Sequence, residues 1–593
     1  MYTAPLTHRL TGLALASALL IGCGYGSTGT VTPGTGGSTG TGGRATTGSG
    51  GTPGTSTGGE PGTGAGGTTG TGGGAGGISG TGTGGAPSTG GAGGRASTGT
   101  GGAPSTGGAG GRATTGTGGA GTGGTTTSSD WGTPVAGGPS GTGVTATVTV
   151  NSATTVGTVT PGFAGFSYEK THLTNASLIS TNAKLIALYK LLGAPQVRIG
   201  ANDVDVCTWG GTGTASSTPS GQPFTHSINT AMVDQLCGFL QATGSQVMYG
   251  VNFKAGNVTP SAAEATYVMN KCGSSVYAFE LGNEINKYDT WVNLQQQWEA
   301  MATAVTAIPG AVLAGPGSTG GGYSSFTVPF TQSEAAKFGN KLRLVTQHYY
   351  SSGAGSSSAT AATLQTLKSD IVTMADTVDS AATKGKVPDG WRWGECNTFS
   401  GHGQMGVSDT IISALWSLDF MYLTAEHGGS GVNFHGGETG MDGTRPFYYE
   451  PIAEANGVVT AVQPLYYGML LFDLAGTGPV VSTSVTSSNA NFTAYAVKGS
   501  GYTSVVLVNR HASSGVNATV NVGAAVTSAS AIYLQGTPAG SLSAGTGSVT
   551  LAGATVSTDA VWNRGAPFTQ TTSGNTATVY VPPVSAALVR VVP

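Results

Sequence analysis

The apolar and polar positions divide the chain into three parts. From residue 24 to about residue 143 nearly every residue is Gly, Thr, Ser, Ala or Pro, and large apolar side chains are rare. From there to about residue 460, apolar stretches of strand length alternate with stretches that carry apolar residues at helical spacing. Short β-forming stretches separated by Gly, Ser and Thr continue to the end. This order predicts an unfolded segment, an α/β domain and an all-β domain.

The middle part predicts a barrel. Helical spacing of apolar residues occurs at 184–192, 232–240 and 263–271. The predicted strands cover residues 162–168, 196–200, 246–252, 276–281, 312–315, 342–349, 391–395 and 431–434. Alternating strands and helices form parallel sheets, and this number of strands fits a closed (β/α)8 TIM barrel. We therefore expect an α/β catalytic barrel over residues 161–460.

The last part predicts a C-terminal antiparallel β-sandwich over residues 461–593, with strands such as Thr503–Val508 and Thr576–Val581. A further strand, Val144–Val150, precedes the barrel and needs a partner edge. We therefore expect residues 144–160 to join the sandwich.

The N-terminus predicts an export signal. Arg9 is followed by an apolar run from Leu13 to Ile21, which is too short to span a bilayer, and then by Gly22 and Cys23. The pattern is typical of a lipoprotein-type signal peptide over residues 1–23, with lipid on Cys23 as the only membrane contact. The alternative is an ordinary cleaved signal peptide. Either predicts an exported protein, attached to the outer membrane or cell surface, or secreted.

Residues 24–143 predict a disordered linker. The segment Gly85–Arg95 recurs at Gly102–Arg112, and neither copy contains a large apolar side chain. Nothing therefore offsets the chain entropy of folding. We interpret the segment as a flexible tether for the domains that follow; the alternative is a structural or adhesive stalk.

Composition and charge exclude some functions. The formal net charge is −3 and Lys plus Arg number 23 in 593 residues, which argues against a nucleic-acid binder. The cysteines after the signal have no metal-binding spacing, so no zinc site is predicted. They allow three disulfide connectivities, and the sequence does not choose among them. These cysteines are Cys207, Cys237, Cys272 and Cys396.

Two glutamates are the candidate catalytic residues. Glu284 follows the predicted strand 276–281, and Glu395 ends the predicted strand 391–395. Active sites of TIM barrels are built at the carboxyl ends of their strands. The two residues lie about three βα units apart, so we expect them on strands four and seven, facing one cavity.

Paired carboxylates perform glycoside hydrolysis: one donates a proton to the leaving oxygen and the other attacks the anomeric carbon. A separation of roughly 5–5.5 Å gives retention of configuration. We expect Arg198 to lie beneath Glu395 and keep it ionised, and Tyr349 to donate a hydrogen bond to it. The alternative for each glutamate is an ion pair or a solvated loop position. The reaction needs no metal or organic cofactor.

Several motifs resemble family 79 of the glycoside hydrolases, which contains β-glucuronidases and heparanase among retaining (β/α)8 enzymes. The resemblance runs from Val144 to the C-terminus. It is carried by the segments Phe166–Glu169, Leu281–Glu284, Gln347–Tyr350, Gly394–Asn397, Gly431–Gly436 and Val581–Ser585.

The resemblance implies a role for each matching residue. Glu284 is the expected acid/base and Glu395 the nucleophile. Asn283 is expected to bind the sugar 2-hydroxyl, and Glu169 other ring hydroxyls. Tyr349, or Tyr350 if the register differs by one residue, is expected to orient the nucleophile. A turn with Gly401 and Gly403, together with a later tyrosine, Tyr466, is expected to receive a uronic carboxylate.

The chain departs from the family pattern after the nucleophile. Related sequences often carry Tyr where this chain has Ser400, and His402 interrupts the glycines. A glycosidase of neutral sugars, such as a xylosidase, and a non-catalytic carbohydrate-binding surface lipoprotein therefore remain alternatives. His348, His435 and Trp393 are candidates for the pocket wall or for barrel core. Cys396 should point away from the site, so we do not interpret it as a nucleophile.

Overall fold

The computed structural model describes residues 131–210, 226–437 and 446–593. The expected signal peptide with Cys23, and the expected linker up to residue 130, lie outside these ranges. Among the helices that are described, none is both long and apolar enough to cross a membrane.

Eight parallel strands close into a barrel in chain order, so the predicted TIM-barrel fold is confirmed. The barrel strands, numbered one to eight in the text, are Ala164–Glu169, Gln196–Gly200, Val247–Val251, Val276–Leu281, Leu313–Ser318, Leu342–Gly353, Trp391–Ser400 and Gly429–His435. Two short strand pairs accompany them: Cys207–Trp209 with His226–Ile228, and Ile452–Ala455 with Val458–Val462.

Helices follow the barrel strands, and each buries an apolar face. They are Ala183–Leu191, Thr230–Thr243, Val258–Cys272, Trp291–Thr306, Val328–Phe338, Ala361–Gln365, Ser369–Gly385, Ile411–Glu426 and Pro464–Ala475. The helix Ile411–Glu426 is buried almost throughout because it also packs beneath the β-domain.

The barrel interior is layered, as in other TIM barrels. Met248, Ala278, Ala314 and Leu344 form an apolar layer on strands three to six. Because side chains alternate along a strand, the next inward residues lie closer to the carboxyl ends. One of these is Glu280, which is fully buried. The layer above the apolar floor is therefore polar, and it supports the site.

The second domain is one hydrogen-bonded sheet of 11 strands whose two halves share a separate apolar core. Beyond the first strand, Gly143–Val159, its members are Gly478–Ser487, Phe492–Lys498, Thr503–Asn509, Gly515–Asn521, Ser528–Gly536, Val549–Leu551, Phe568–Thr569, Thr571–Ser573, Thr576–Val581 and Ser585–Val592. This arrangement matches the predicted β-sandwich.

The strand Gly143–Val159 joins this sheet, as expected for residues 144–160. It pairs antiparallel with Gly478–Ser487 and parallel with Gly515–Asn521. Contacts begin even earlier: the Trp131 indole donates to Ser530 Oγ at 2.8 Å, and Val135 bridges Phe568. The chain therefore meets the sandwich before residue 143, where the linker was expected to end.

Two contacts fix the helices of the barrel. Arg510, on the β-domain, lies 2.8 Å from the carboxylate of Asp419 on the helix Ile411–Glu426, and both are buried. A disulfide joins Cys237 and Cys272, on two consecutive barrel helices. Cys207 and Cys396 are free and buried, which decides the connectivity that the sequence left open.

Candidate active site

Glu284 and Glu395 face one cavity of about 680 Å³ at the carboxyl ends of the barrel strands. Glu284 follows strand four and Glu395 lies in strand seven, the positions that the spacing predicted. A carboxylate oxygen of each, together with a ring nitrogen of His348, lies within a group no wider than 4.8 Å. Cavities of this size hold small ligands in many proteins.

The backbone of Glu284 is unusual. Its φ is 47°, in the left-handed region, and its N–H donates to the Gly317 carbonyl at 2.9 Å. A Cβ at Gly317 would lie 3.0 Å from Glu280 Oε1, so the site needs glycine there. Uncommon conformations of non-glycine residues concentrate at functional sites, where the surrounding structure maintains them.

Glu395 is held as an anion by donors on two sides. Arg198 Nη1 donates to Oε2 at 2.8 Å, and the Tyr350 hydroxyl donates to Oε1 at 2.8 Å. Burial raises the pKa of Glu395, but the nearby His435, His348 and Arg198 charges outweigh burial and hold this pKa well below its ordinary value. A buried, ionised carboxylate suits a nucleophile.

Arg198 links several of the polar groups. Its guanidinium also donates to Glu280 Oε2 at 2.7 Å, to Asn283 Oδ1 at 2.8 Å and to Ser167 Oγ at 3.1 Å. Thr346 donates to the other Glu280 oxygen at 2.7 Å. Because every one of these groups is buried, the network fixes the position of Arg198 beneath the cavity.

Glu284 has different neighbours. His348 Nδ1 lies 3.2 Å from its Oε1, and the Lys287 ammonium contacts its Oε2. Burial raises the pKa of Glu284, as does the charge of Glu395, but His348 and Lys287 lower it further. The pKa of Glu284 therefore lies below its ordinary value. An acid catalyst must hold its proton, and His348 and Lys287 both oppose this.

Glu169 and His435 also line the cavity. His435 Nε2 lies 3.7 Å from Glu169 Oε1, and the Asp203 N–H donates to Glu169 Oε2 at 2.7 Å. Burial raises the pKa of Glu169. Burial lowers the pKa of His435, but Glu395 and Glu169 raise it above its ordinary value. A carboxylate here can accept hydrogen bonds from hydroxyl groups of a ligand.

The prediction for Tyr349 is wrong, and its alternative Tyr350 takes the position. Side chains alternate along strand six, so Tyr350 points into the barrel and Tyr349 points out. The Tyr349 ring packs against Phe420 with centroids 5.4 Å apart, and its hydroxyl reaches Asp370 at 3.4 Å instead of Glu395.

Trp393 is core and not pocket wall. A register shift between Trp393 and Glu395 marks a bulge in strand seven, so the two side chains lie on opposite faces despite their spacing. The Trp393 indole donates to Thr424 at 2.9 Å on a barrel helix. Cys396 points away from the cavity as expected, with its thiol 3.4 Å from the Asn433 carbonyl.

Tyr466 does not reach the cavity. Pro464 begins a helix there, and the Tyr466 hydroxyl donates to the Leu188 carbonyl at 2.8 Å inside a buried helix–helix contact. The later tyrosine that lines the cavity is Tyr449, whose ring lies 6.3 Å from that of Tyr350.

The loop after strand seven forms the expected turn. Gly401, His402 and Gly403 have φ values of 74°, 70° and 80°. Ser400, Gly401 and His402 line the cavity, and the His402 ring stacks on Phe447 at 4.1 Å. Gly403 lies behind them, where a Cβ would meet Tyr449 at 2.9 Å. Gly403 is therefore needed for close packing and does not line the wall.

Within the described ranges, one group of side chains is compact enough to hold a metal ion: Glu284, His348 and Glu395. Arg198 and Lys287 already supply positive charge to both carboxylates. A cation would have to compete with these side chains, so the donor set favours two carboxylates working without a metal.

Sequence reasoning missed Lys287, Glu280, Tyr449, Phe447 and His226, all of which line the cavity or support it. Glu280 could have been predicted from the sequence, since an acidic residue inside an apolar strand indicates a buried, positively charged partner. Lys287 lies on a one-turn helix three residues after Glu284, a spacing at which a helical turn brings opposite charges together.

The fold and the site together define a (β/α)8 barrel with a C-terminal β-sandwich and a carboxylate pair at the strand ends. Neither a protein-family model nor a curated protein sequence matches the chain. Solved structures of glycoside hydrolases share its fold. A 4-O-α-L-rhamnosyl-β-D-glucuronidase of Fusarium oxysporum 12S is 21% identical over 75% of this chain and 99% of its own, with a TM-score of 0.58.

Two arabinofuranosidases are also similar. The family 51 α-L-arabinofuranosidase AbfB of Bifidobacterium longum is 16% identical over 76% of this chain and 100% of its own, with a TM-score of 0.55. The family 51 enzyme of Xanthomonas axonopodis pv. citri is 15% identical over the same shares, with a TM-score of 0.54. At these identities the likeness establishes the fold.

Proposed function

We propose that the protein is a retaining glycoside hydrolase, similar to family 79, that removes terminal β-linked glucuronic acid from a polysaccharide or glycoconjugate. The observation that carries the proposal is the pair Glu284 and Glu395, whose carboxylate oxygens approach within 4.8 Å across one cavity. Retaining enzymes hold their carboxyl groups about 5–5.5 Å apart, whereas inverting enzymes need roughly 6.5–9.5 Å to admit a water.

The proposed reaction has two steps. Glu395 attacks the anomeric carbon while Glu284 gives its proton to the leaving oxygen, which forms a glycosyl ester and releases the leaving group. Water then attacks the same carbon and passes a proton to Glu284, which regenerates Glu395 and frees the sugar with its original configuration. Arg198 and Tyr350 position the nucleophile, and His348 positions the acid/base.

The side chains around Glu284 and Glu395 would bind the hydroxyl groups of the sugar. Glu169 lines the same cavity as Glu284, and its carboxylate accepts hydrogen bonds. The Asn283 side-chain oxygen accepts from Arg198 and its amide nitrogen donates to Asn202 Oδ1 at 3.3 Å, which leaves one amide N–H to donate to the 2-hydroxyl. Hydrogen bonds to that hydroxyl strengthen in the transition state.

The turn after strand seven supports a uronic carboxylate. Gly401 lines the cavity, and among the described residues its N–H donates to no protein acceptor. Successive backbone N–H groups in a turn make anion-binding concavities. Ser400 favours the second candidate, hydrolysis of a neutral β-glycoside, because it places a hydroxyl on the wall where the family often has a phenol.

Export is part of the proposal. A disulfide between Cys237 and Cys272 is typical of proteins that fold in oxidising compartments. Together with the N-terminal pattern, it supports a secreted protein or a surface lipoprotein on a tether.

A panel of aryl β-glycosides tests the proposal, with NMR of the first-formed anomer. We expect the glucuronide to be the best substrate and the first product to be the β-anomer. Glu395→Gln should abolish turnover, and Glu299→Gln, on an outer helix, should not. Preference for a xyloside would support the second candidate. Sugar binding without turnover by the intact protein would contradict both and favour a non-catalytic binding protein.

A further inference from the structure

A separate cavity lies at the amino ends of the barrel strands, at the opposite end of the barrel from the carboxylate pair. Its volume is about 570 Å³, and it shares no lining residue with the cavity of Glu284 and Glu395. We call it the barrel-base cavity. Its lining includes residues before or at the start of strands one, two, four and seven: Thr160, Gln196, Tyr277, Asp389 and Arg392.

Arg392 is a buried cation whose hydrogen-bond acceptors are all neutral. Its Nε donates to Asn433 Oδ1 at 2.6 Å, its Nη1 to the Ser430 carbonyl at 3.2 Å, and its Nη2 to three further carbonyls at 2.9 Å. The ion pairs of the described residues include none with Arg392. A guanidinium has five N–H groups, so one N–H of Nη1 has no acceptor in the same part of the chain.

The contrast with Arg198 shows what Arg392 lacks. Burial lowers the pKa of Arg198, but the carboxylates of Glu280 and Glu395 raise it above its ordinary value. Burial lowers the pKa of Arg392 to about 10, and no carboxylate offsets the effect. Buried charges in proteins are normally paired. An anion bound in the barrel-base cavity would complete the pair.

Asp389 also lines this cavity, but it already has two partners. The Tyr277 hydroxyl donates to Asp389 Oδ2 at 2.7 Å, and Arg343 Nε lies 2.5 Å from the same oxygen. The Arg343 guanidinium also lies 4.1 Å from the centre of the Tyr277 ring. Asp389 is therefore neutralised by Arg343, and the negative charge for Arg392 must come from a ligand.

Gln196 adds an unpaired acceptor to the lining. Its side chain is buried, and its Oε1 has no hydrogen-bond partner among the described residues. Buried polar atoms are normally hydrogen-bonded, so a ligand that fits here supplies a donor. A hydroxyl group is such a donor. The cavity therefore combines a site for a negative charge with a site for a hydroxyl group.

We propose that the barrel-base cavity binds a sugar acid, with the carboxylate beside Arg392 and a hydroxyl group on Gln196 Oε1. The carboxylate supplies the negative charge that Arg392 lacks, and the sugar ring supplies the donor. A volume of about 570 Å³ lies in the range of small-molecule sites. The site is separate from the carboxylate pair, so the inference does not depend on the proposed reaction.

Calorimetry with three small probes tests the contributions of charge and hydroxyl groups. D-Glucuronate carries both, D-glucose lacks the carboxylate, and acetate lacks the hydroxyl groups. Glucuronate should bind about tenfold more tightly than either of the others, because its carboxylate makes charge-assisted hydrogen bonds and its hydroxyl groups add further ones. Equal affinity for glucose and glucuronate, or no binding of glucuronate, would overturn the proposal.

Thr160 provides a variant with a matched control. It is exposed and lines the barrel-base cavity, so Thr160→Trp would place an indole there. Thr373 is exposed on the helix Ser369–Gly385 and lines neither cavity. Thr160→Trp should weaken glucuronate binding about tenfold, Gln196→Leu about fivefold through loss of one hydrogen bond, and Thr373→Trp not at all. Wild-type affinity in Thr160→Trp would overturn the proposal.

The cavity of Glu284 and Glu395 is monitored separately, since a glucuronidase also binds its product there. Inhibition of aryl glycoside hydrolysis by glucuronate reports that cavity, and Thr160→Trp should leave the inhibition constant unchanged. An equal change in the inhibition constant and in the calorimetric affinity would overturn the barrel-base site. If the wild type hydrolyses no glycoside, the proposed function alone fails, and the calorimetric comparison of Thr160→Trp with Thr373→Trp still decides.

Discussion

Arg198 Nη1 donates to Glu395 Oε2 at 2.8 Å from beneath the cavity, and both side chains are almost completely buried. The same guanidinium holds Glu280 and Asn283. One planar, fork-shaped donor therefore fixes the orientation of the proposed nucleophile Glu395 and of the Asn283 amide together.

Replacing Arg198 by lysine should lower kcat by about a hundredfold, the order found when one preorganised donor is lost from an active site. Lysine keeps the charge but has no planar fork, so Glu395 and Asn283 can no longer be held at the same time. Steady-state kinetics on the preferred aryl glycoside measures the loss. Thermal unfolding identifies a variant that fails to fold, and a folded variant with wild-type kcat would contradict this role.

Tyr349 and Tyr350 are neighbours with opposite expected effects. Tyr350→Phe removes a 2.8 Å hydrogen bond to Glu395 and should lower kcat by about tenfold. Tyr349→Phe removes a 3.4 Å contact with Asp370 outside the barrel, and kcat should stay within about twofold of wild type. The two variants lose the same atom from adjacent positions, so equal kinetics would show that the hydroxyl on Glu395 has no role.

Tyr349 and Tyr350 also show what could not be predicted from the sequence. Glu284 and Glu395 were predictable because strand order in a barrel is fixed, so residues at strand ends share one rim whatever the details of each strand. Which of two consecutive tyrosines faces inward depends on which residue of the strand is the first to point into the barrel. The sequence Gln347–Tyr350 fits either register equally well.

For Trp393 the sequence left pocket wall and barrel core open, and for Tyr466 the prediction was wrong; the two cases have related reasons. Simple alternation places Trp393 on the same face as Glu395, but a bulge that the sequence does not reveal separates them. Tyr466 was placed by its motif alone, whereas Pro464 starts a helix that turns its ring into the core. Local patterns identified the elements, and tertiary contacts decided where their side chains point.

The disulfide between Cys237 and Cys272 should stabilise the barrel. It closes a loop with a sequence separation of 35, and constraint of the unfolded chain by such a loop contributes about 4 kcal/mol. Urea unfolding of the double variant Cys237→Ala, Cys272→Ala should show this decrease in the free energy of unfolding. Reductant should destabilise the wild type similarly and leave the double variant unchanged. Equal stability of the oxidised wild type and the double variant would contradict the prediction.

Lys287 should lower the alkaline limit of activity, in addition to the larger effect of His348. Its ammonium contacts Glu284, and removing a positive charge beside a carboxylate disfavours the ionised form. Lys287→Met should therefore raise the pKa of Glu284, so the acid keeps its proton to higher pH. The alkaline limb of the pH profile of kcat/KM, which reports pKa values of the free enzyme, should move to higher pH.

The expected shift is about half a pH unit, because solvent screens a lysine whose side chain is 59% exposed. The acidic limb should move little, since Glu395 is held ionised mainly by His435, His348 and Arg198. Lys271→Met, which removes a lysine paired with Asp234 on an outer helix, provides the control. A downward shift of the alkaline limb, or the same shift in both variants, would show that Lys287 does not control the proton on Glu284.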